Sequence, residues 1–149
     1  MTLREQLIGA WQLHSYVEVP EDGSEPFYPL GTQPKGIIMY TPDGYMSAQL
    51  MADGREPFAI ADFYQGEPEE YVAAGSTYIG YSGRFAVDEQ KQTLTHSMYV
   101  SFFPNWLGQT QPRAVSLANG VLTLGPTSPI VSRGKRVMSR LVWHRAESA

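Results

Sequence analysis

Three side chains in this 149-residue chain combine the chemistry to act on a small molecule with a position that strand alternation turns inward. His96 falls in the row Leu94, His96, Met98, Val100, Phe102, opposite Thr93, Thr95, Ser97, Tyr99 and Ser101. An imidazole on an apolar row can serve as general acid or base near neutral pH, its pKa set by burial and partners. It can equally be a core histidine whose nitrogens are satisfied by neighbours. Arg113 and Gln111 are placed by the two-residue turn Asn119-Gly120, which pairs Leu117 with Leu122 and Val115 with Leu124. The same parity carried back along the strand turns Arg113 and Gln111 inward, and a dry core does not choose such residues. The planar guanidinium suits a ligand carboxylate, enolate or phenolate, or an internal acid. The inward rows assigned here hold no carboxylate, which favours a ligand anion or carbonyl. A slip of one residue would put Arg113 in water.

Around these three, other residues are candidates for the wall of a binding site. Asp43-Gly44 between Lys35–Thr41 and Tyr45–Met51 reads as a two-residue hairpin turn, pairing Tyr40 with Ser47 and Ile38 with Gln49. Tyr40, Ser47 and Gln49 then form a polar row able to orient a ligand, or else a solvated face, with Met39, Met46, Ala48 and Leu50 on the other side. Trp106, in Pro104-Asn105-Trp106, is an aromatic gate or a loop anchor. Tyr81 and Met98 read as wall residues or as plain core. His14 and His144 fall on outward faces of the first and last strands, and two histidines without a third ligand assign no metal. No cofactor is implied either. Gly-x-Ser-x-Gly, His-Glu-x-x-His and dinucleotide-binding patterns are all missing from the sequence.

The elements that must position these groups are mostly strands. The 14 glycines and 11 prolines imply many turns, while 42% hydrophobic and 17% charged residues give enough apolar content for a core. Thr2 and Glu5 are spaced as a capping box for a short helix through Ile8. From Trp11 to Val19 the residues alternate, with Trp11, Leu13, Ser15 and Val17 expected inward against Gln12, His14, Tyr16 and Glu18. Pro20 to Pro34 reads as a long surface loop bearing Phe27, Tyr28 and Leu30, capable of acting as a lid. Pro68 to about Tyr78 reads as a helix, weakened at Gly75, before strands resume at Tyr81. The last strand, Arg136 to Arg145, sets Val137, Ser139, Leu141 and Trp143 against Met138, Arg140, Val142 and His144.

Seven or eight alternating strands joined by tight turns predict an all-β fold, an antiparallel up-and-down β-barrel of about eight strands with one short inserted helix, in a single domain over 1–149. A barrel of that size has room for one small ligand. Gly9-Ala10-Trp11 after the short helical turn resembles the Gly-x-Trp signature of lipocalins. Together with Tyr40-Thr41-Pro42-Asp43-Gly44-Tyr45-Met46-Ser47, Phe103-Pro104-Asn105-Trp106 and Leu141-Val142-Trp143-His144-Arg145, the chain resembles the lipocalin-like domain family of bacterial and fungal proteins, a calycin-type barrel, over nearly its whole length. The resemblance implies a cavity for a small, mostly apolar molecule, with Trp11 plugging the closed end under Arg140 or Arg145. Parity favours Arg145.

Three functions follow as expectations. The first is binding of a small hydrophobic metabolite, with Arg113, His96, Gln111 or Gln49 as the polar contact and Tyr40, Tyr81, Met98 and Trp106 around it. The second is a cofactor-independent isomerase or cyclase in which His96 moves a proton and Arg113 stabilises oxyanion charge. The third is a partner-binding barrel docking through the 20–34 loop. A net charge of −4 and a pI near 5.3 argue against nucleic acid. The absence of cysteine excludes disulfides and thiol chemistry, and no apolar run is long enough to span a membrane. The start of the chain lacks a secretory h-region, so the protein is expected in the cytoplasm. A homo-oligomer is left open.

Overall fold

The computed structural model describes residues 1–148. The short helix α1 (Leu3–Leu7) forms with the predicted capping box, Thr2 Oγ1 accepting from the Glu5 N–H and Glu5 accepting from the Thr2 N–H. Eight strands then close a barrel: β1 (Gly9–Pro20), β2 (Lys35–Tyr40), β3 (Tyr45–Met51), β4 (Tyr78–Asp88), β5 (Thr93–Ser101), β6 (Thr110–Ala118), β7 (Val121–Pro126) and β9 (Lys135–Arg145). Each pairs antiparallel with its neighbours, and β1 pairs with β9 to complete the ring. A three-residue strand, β8 (Ile130–Ser132), adds to the upper half of β9, whose lower half pairs with β7. The one longer helix, α2 (Pro68–Gly75), sits between β3 and β4 with no buried residue and stops three residues short of the predicted end, where β4 begins.

The two ends of the barrel differ in how they are finished. At one end lie the tight 41–44, 88–92 and 119–120 turns, with α1 across them. Glu89, in the β4–β5 turn, accepts from the Leu3 and Arg4 N–H groups, so a carboxylate sits on the helix N-terminus that the backbone dipoles favour. Leu3, Leu7 and Trp11 are buried beneath, and the Trp11 indole N–H donates to Leu7 O at 3.0 Å. Arg145 lies over the Trp11 ring at 3.9 Å and donates to the carbonyl oxygens of Ile8 and Gln6. The parity argument thus chose the right arginine. The other end carries the long connections 20–34, 52–77, 102–109 and 127–134 and is the mouth.

Two local features overturn the predicted faces. The β2–β3 turn is a three-residue loop, Pro42-Asp43-Gly44, closed by the Thr41 N–H on Tyr45 O, with Gly44 in the left-handed region at φ 98°. The extra residue shifts the register by one, so Tyr40 opposes Met46, Ile38 opposes Ala48 and Ile37 opposes Gln49. Tyr40, Ile38, Met46, Ala48 and Leu50 are buried, whereas Ser47 and Gln49 face outward, so the predicted polar row does not exist. In β1, a bulge between Leu13 and Ser15 inserts one residue against β9. Below it Trp11 and Leu13 point inward as expected. Above it the parity inverts, and Tyr16 and Glu18 are buried in place of Ser15 and Val17. By contrast, the Asn119-Gly120 turn has φ of 54° and 75° and sets the predicted pairs Leu117–Leu122 and Val115–Leu124.

The Arg145 clasp is predicted to be a main stabiliser of the closed end. Arg145→Ala removes a cation–π contact and two charge-assisted hydrogen bonds and should cost about 2 kcal/mol in urea unfolding. Arg145→Lys keeps the charge but not the planar fork, and should recover less than half of that loss.

Candidate functional site

The upper half of the barrel is hollow. A cavity of about 430 Å³ opens at the mouth, within the size range of small-molecule pockets. Its floor and sides are aliphatic and aromatic, with Ile38, Leu50, Ile79, Leu124, Leu141 and Trp143 among the lining residues. Phe103 and Trp106 stand at the rim, edge-on to each other at 5.4 Å between ring centroids, and Trp106 meets Tyr81 in the same manner at 5.8 Å. The 127–134 connection contributes Ile130 and Val131 to the opposite side of the mouth.

The polar side chains of the cavity come from β1, β4, β6 and β9, with Thr127 and Ser128 from the connection after β7. Arg113 and Gln111 point inward from β6, as the turn-derived register predicted. The Arg113 guanidinium donates to Gln111 Oε1 at 2.7 Å and to Pro112 O at 3.2 Å, and Gln111 in turn donates to Gln109 Oε1 at 2.8 Å. No ion pair joins Arg113 to an acid among the described residues. Tyr16 lines the cavity from β1 and donates to Glu18 at 3.4 Å, and Ser132 of β8 donates to the other Glu18 oxygen at 2.7 Å. The sequence reading missed both Tyr16 and Glu18, since a bulge leaves no signature in residue alternation. Its statement that the inward rows lack a carboxylate is therefore corrected: Glu18 is inside, at 2% exposure, and bound by two hydroxyls.

The remaining predicted residues separate by position. Tyr81 and Trp106 line the cavity with Gln111 and Arg113. Tyr40, His96 and Met98 are buried in the wall behind it and are not among the residues lining it. Gln49 lies outside, accepting from the Tyr78 hydroxyl in a shallow apolar groove of about 300 Å³ on the β2–β3 face. His14 and His144 stack on the outer surface at 4.7 Å, and no group of three or more His, Cys, Asp or Glu side chains gathers among the described residues. The 20–34 loop folds back on the barrel: Phe27 exchanges two backbone hydrogen bonds with Glu18, Arg133 lies over its ring at 3.4 Å, and Leu30 is buried. Only Tyr28 of its three apolar residues is largely exposed, at 44%, so the loop offers little patch for a partner.

His96 is fully enclosed. Its Nε2 is 2.9 Å from the Tyr40 hydroxyl and its Nδ1 is 3.4 Å from that of Tyr81, so both ring nitrogens are engaged by phenols. Burial, followed by the Arg113 charge, pulls its pKa down to about 3, and the ring is neutral at ordinary pH. A neutral imidazole donates from one nitrogen and accepts at the other, which ties the two tyrosines into one chain. Burial likewise drives the Tyr40 phenol well above its usual range. The trio is thus a satisfied polar unit inside the wall, and only Tyr81 touches the cavity.

Against known proteins, residues 8–146 match the family described as Lipocalin-like domain. The chain belongs to that family. A curated relative, the 4'-hydroxy-3'-methoxypropiophenone carrier protein ppsC of Aspergillus oryzae (strain ATCC 42149 / RIB 40), is 35% identical over 106 residues, covering 67% of this chain and 96% of that protein. Among the described residues no helix is long and apolar enough to cross a membrane.

The His96 unit has a checkable signature in stability. The unfolded chain protonates this histidine near pH 6.5 and the folded one only near 3, so its contribution is complete above 6.5 and is lost as pH falls through that window. The loss should run at about 1.4 kcal/mol per pH unit. His96→Gln, which cannot titrate, should lower stability at pH 7 yet show a flatter decline between pH 6 and 4 in urea unfolding. An identical slope in both proteins would refute the assignment.

Proposed function

We propose that this protein is a carrier that holds a small, mostly hydrophobic molecule in the barrel, with Arg113 and Gln111 supplying its polar contact. The lipocalin-like barrel and the relative named as a carrier support small-molecule binding in general. The observation that carries the finer reading is the mixed lining: aromatic and aliphatic side chains enclose the space, and one uncompensated cation enters it from β6. The cargo for which the relative is named, an aryl ketone with a phenol, matches that lining in kind: a flat apolar body for Trp106, Tyr81 and Phe103, and oxygen acceptors for a guanidinium.

Proton-transfer chemistry has less support. A general base must come within hydrogen-bond reach of its substrate, and His96 is sealed behind Tyr40 and Tyr81 with its proton affinity suppressed. Binding without turnover is the reading that the geometry favours.

The test is binding of the fluorescent probe N-phenyl-1-naphthylamine and its displacement by 4'-hydroxy-3'-methoxypropiophenone. One probe per chain, competed by the ketone and weakened at least tenfold by Leu124→Trp, which fills the cavity, is the expected result. A probe that fails to bind, or that binds equally well when the cavity is filled, would contradict the proposal.

A further inference from the structure

The cavity holds one cation and no carboxylate, its other polar side chains being the hydroxyls of Tyr16, Tyr81, Thr127, Ser128 and Ser139 and the Gln111 amide. Arg113 uses two of the five N–H groups of its guanidinium, and the two acceptors it reaches, Gln111 Oε1 and Pro112 O, belong to its own strand. Trp143 lines the floor and is 1% exposed, and its indole N–H is buried with no partner among the described residues. A buried donor without a partner costs about 1–3 kcal/mol, so such groups are normally matched. On the acceptor side, no Asp or Glu lines the cavity. Glu18, the buried acid of β1, has one oxygen on Ser132 and the other on Tyr16.

Arg113 therefore faces the cavity with no carboxylate in contact; Glu18, the buried acid beyond Tyr16, acts on that phenol with the opposite sign. Tyr16 on β1, Tyr40 on β2 and His96 on β5 lie within reach of the Arg113 charge. Its field is felt by these wall groups: burial is the main force raising the Tyr16 and Tyr40 phenols, Arg113 acts against it, and the same charge resists a proton on His96. The apolar walls beside the part-buried guanidinium make it a stronger partner for a negative oxygen than a cation in bulk water, while its open side stays within reach of salt.

We infer that the cavity takes its ligand as an oxyanion, a phenolate, enolate or carboxylate seated on Arg113, and discriminates against neutral molecules of the same shape. This rests on the carrier reading and adds the charge state of the cargo to it. The side chain acts here as a specificity determinant, since the apolar lining alone would bind either form.

Two probes that share one skeleton separate the claims. 1-Anilinonaphthalene-8-sulfonate carries an anionic group that N-phenyl-1-naphthylamine lacks, and both report burial by fluorescence. Replacing Arg113 by Gln should lower affinity for the sulfonate at least tenfold while leaving the neutral probe within twofold, with Arg113→Lys between the two. An affinity ratio for the two probes that stays within twofold of wild type would overturn the inference and leave the carrier reading standing. Failure of both probes to bind the wild type would bring down the carrier reading itself. Should Arg113→Gln fold poorly by circular dichroism, salt titration of the wild type decides the matter. Raising salt should weaken the sulfonate several-fold and spare the neutral probe, and equal responses would refute the charge selection.

Discussion

A sheet has an interior only when its first and last strands pair, and in this chain that closure is the constraint on which everything else rests. β1 and β9 run antiparallel along almost their full length, from Trp11 opposite Arg145 to Pro20 opposite Val137. At the lower end Arg145 fastens the ring by stacking on Trp11 and binding the carbonyl oxygens that α1 leaves exposed. Glu89 holds the start of the same helix. One end of the barrel is thereby packed solid with Leu3, Leu7, Trp11, Leu94 and Leu122, and the stability of the lower half lets the upper half remain hollow.

The hollow half owes its chemistry to the bulge in β1. Had the alternation of Trp11 and Leu13 continued, Ser15 and Val17 would face inward and the cavity would lose its β1 phenol and the carboxylate behind it. The inserted residue turns Tyr16 and Glu18 in, and Glu18 then ties three parts of the mouth together: its side chain accepts from Ser132 of β8, and its backbone pairs with Phe27 of the long loop. Tyr40, His96 and Tyr81 form a second satisfied unit in the wall. Arg113 is the charged side chain of the cavity left with donors to spare, and this sets it apart as a contact for something that enters.

Much of this was legible before the structure. Asn119-Gly120 specifies a turn that needs two left-handed residues, so the register through Leu117, Val115 and Arg113 followed from the sequence. The Thr2–Glu5 box was readable from local spacing, while an arginine over Trp11 came from the resemblance to lipocalins, with strand parity choosing Arg145. Asp43-Gly44 misled because the dipeptide fits two loop lengths, and the three-residue version puts Tyr40 and Ile38 on the face of Met46, Ala48 and Leu50 rather than with Ser47 and Gln49. The bulge at His14 was invisible, as it is set by the pairing with β9 rather than by any residue type. The inward parity of Gln111 and Arg113 followed from an unbroken run back from the Asn119-Gly120 turn, whereas the faces of β1 above its bulge and of the β2–β3 hairpin did not.

The central claim is that the ligand lies inside the barrel, above the Trp143 floor and beside Arg113. A crystal structure of the protein soaked with 4'-hydroxy-3'-methoxypropiophenone tests it most directly. The account predicts density for the ring between Trp106 and Leu124, with a ligand oxygen within hydrogen-bond distance of the Arg113 guanidinium. Density confined to the outer groove beside Gln49 and Tyr78, with the barrel cavity holding only solvent, would contradict it.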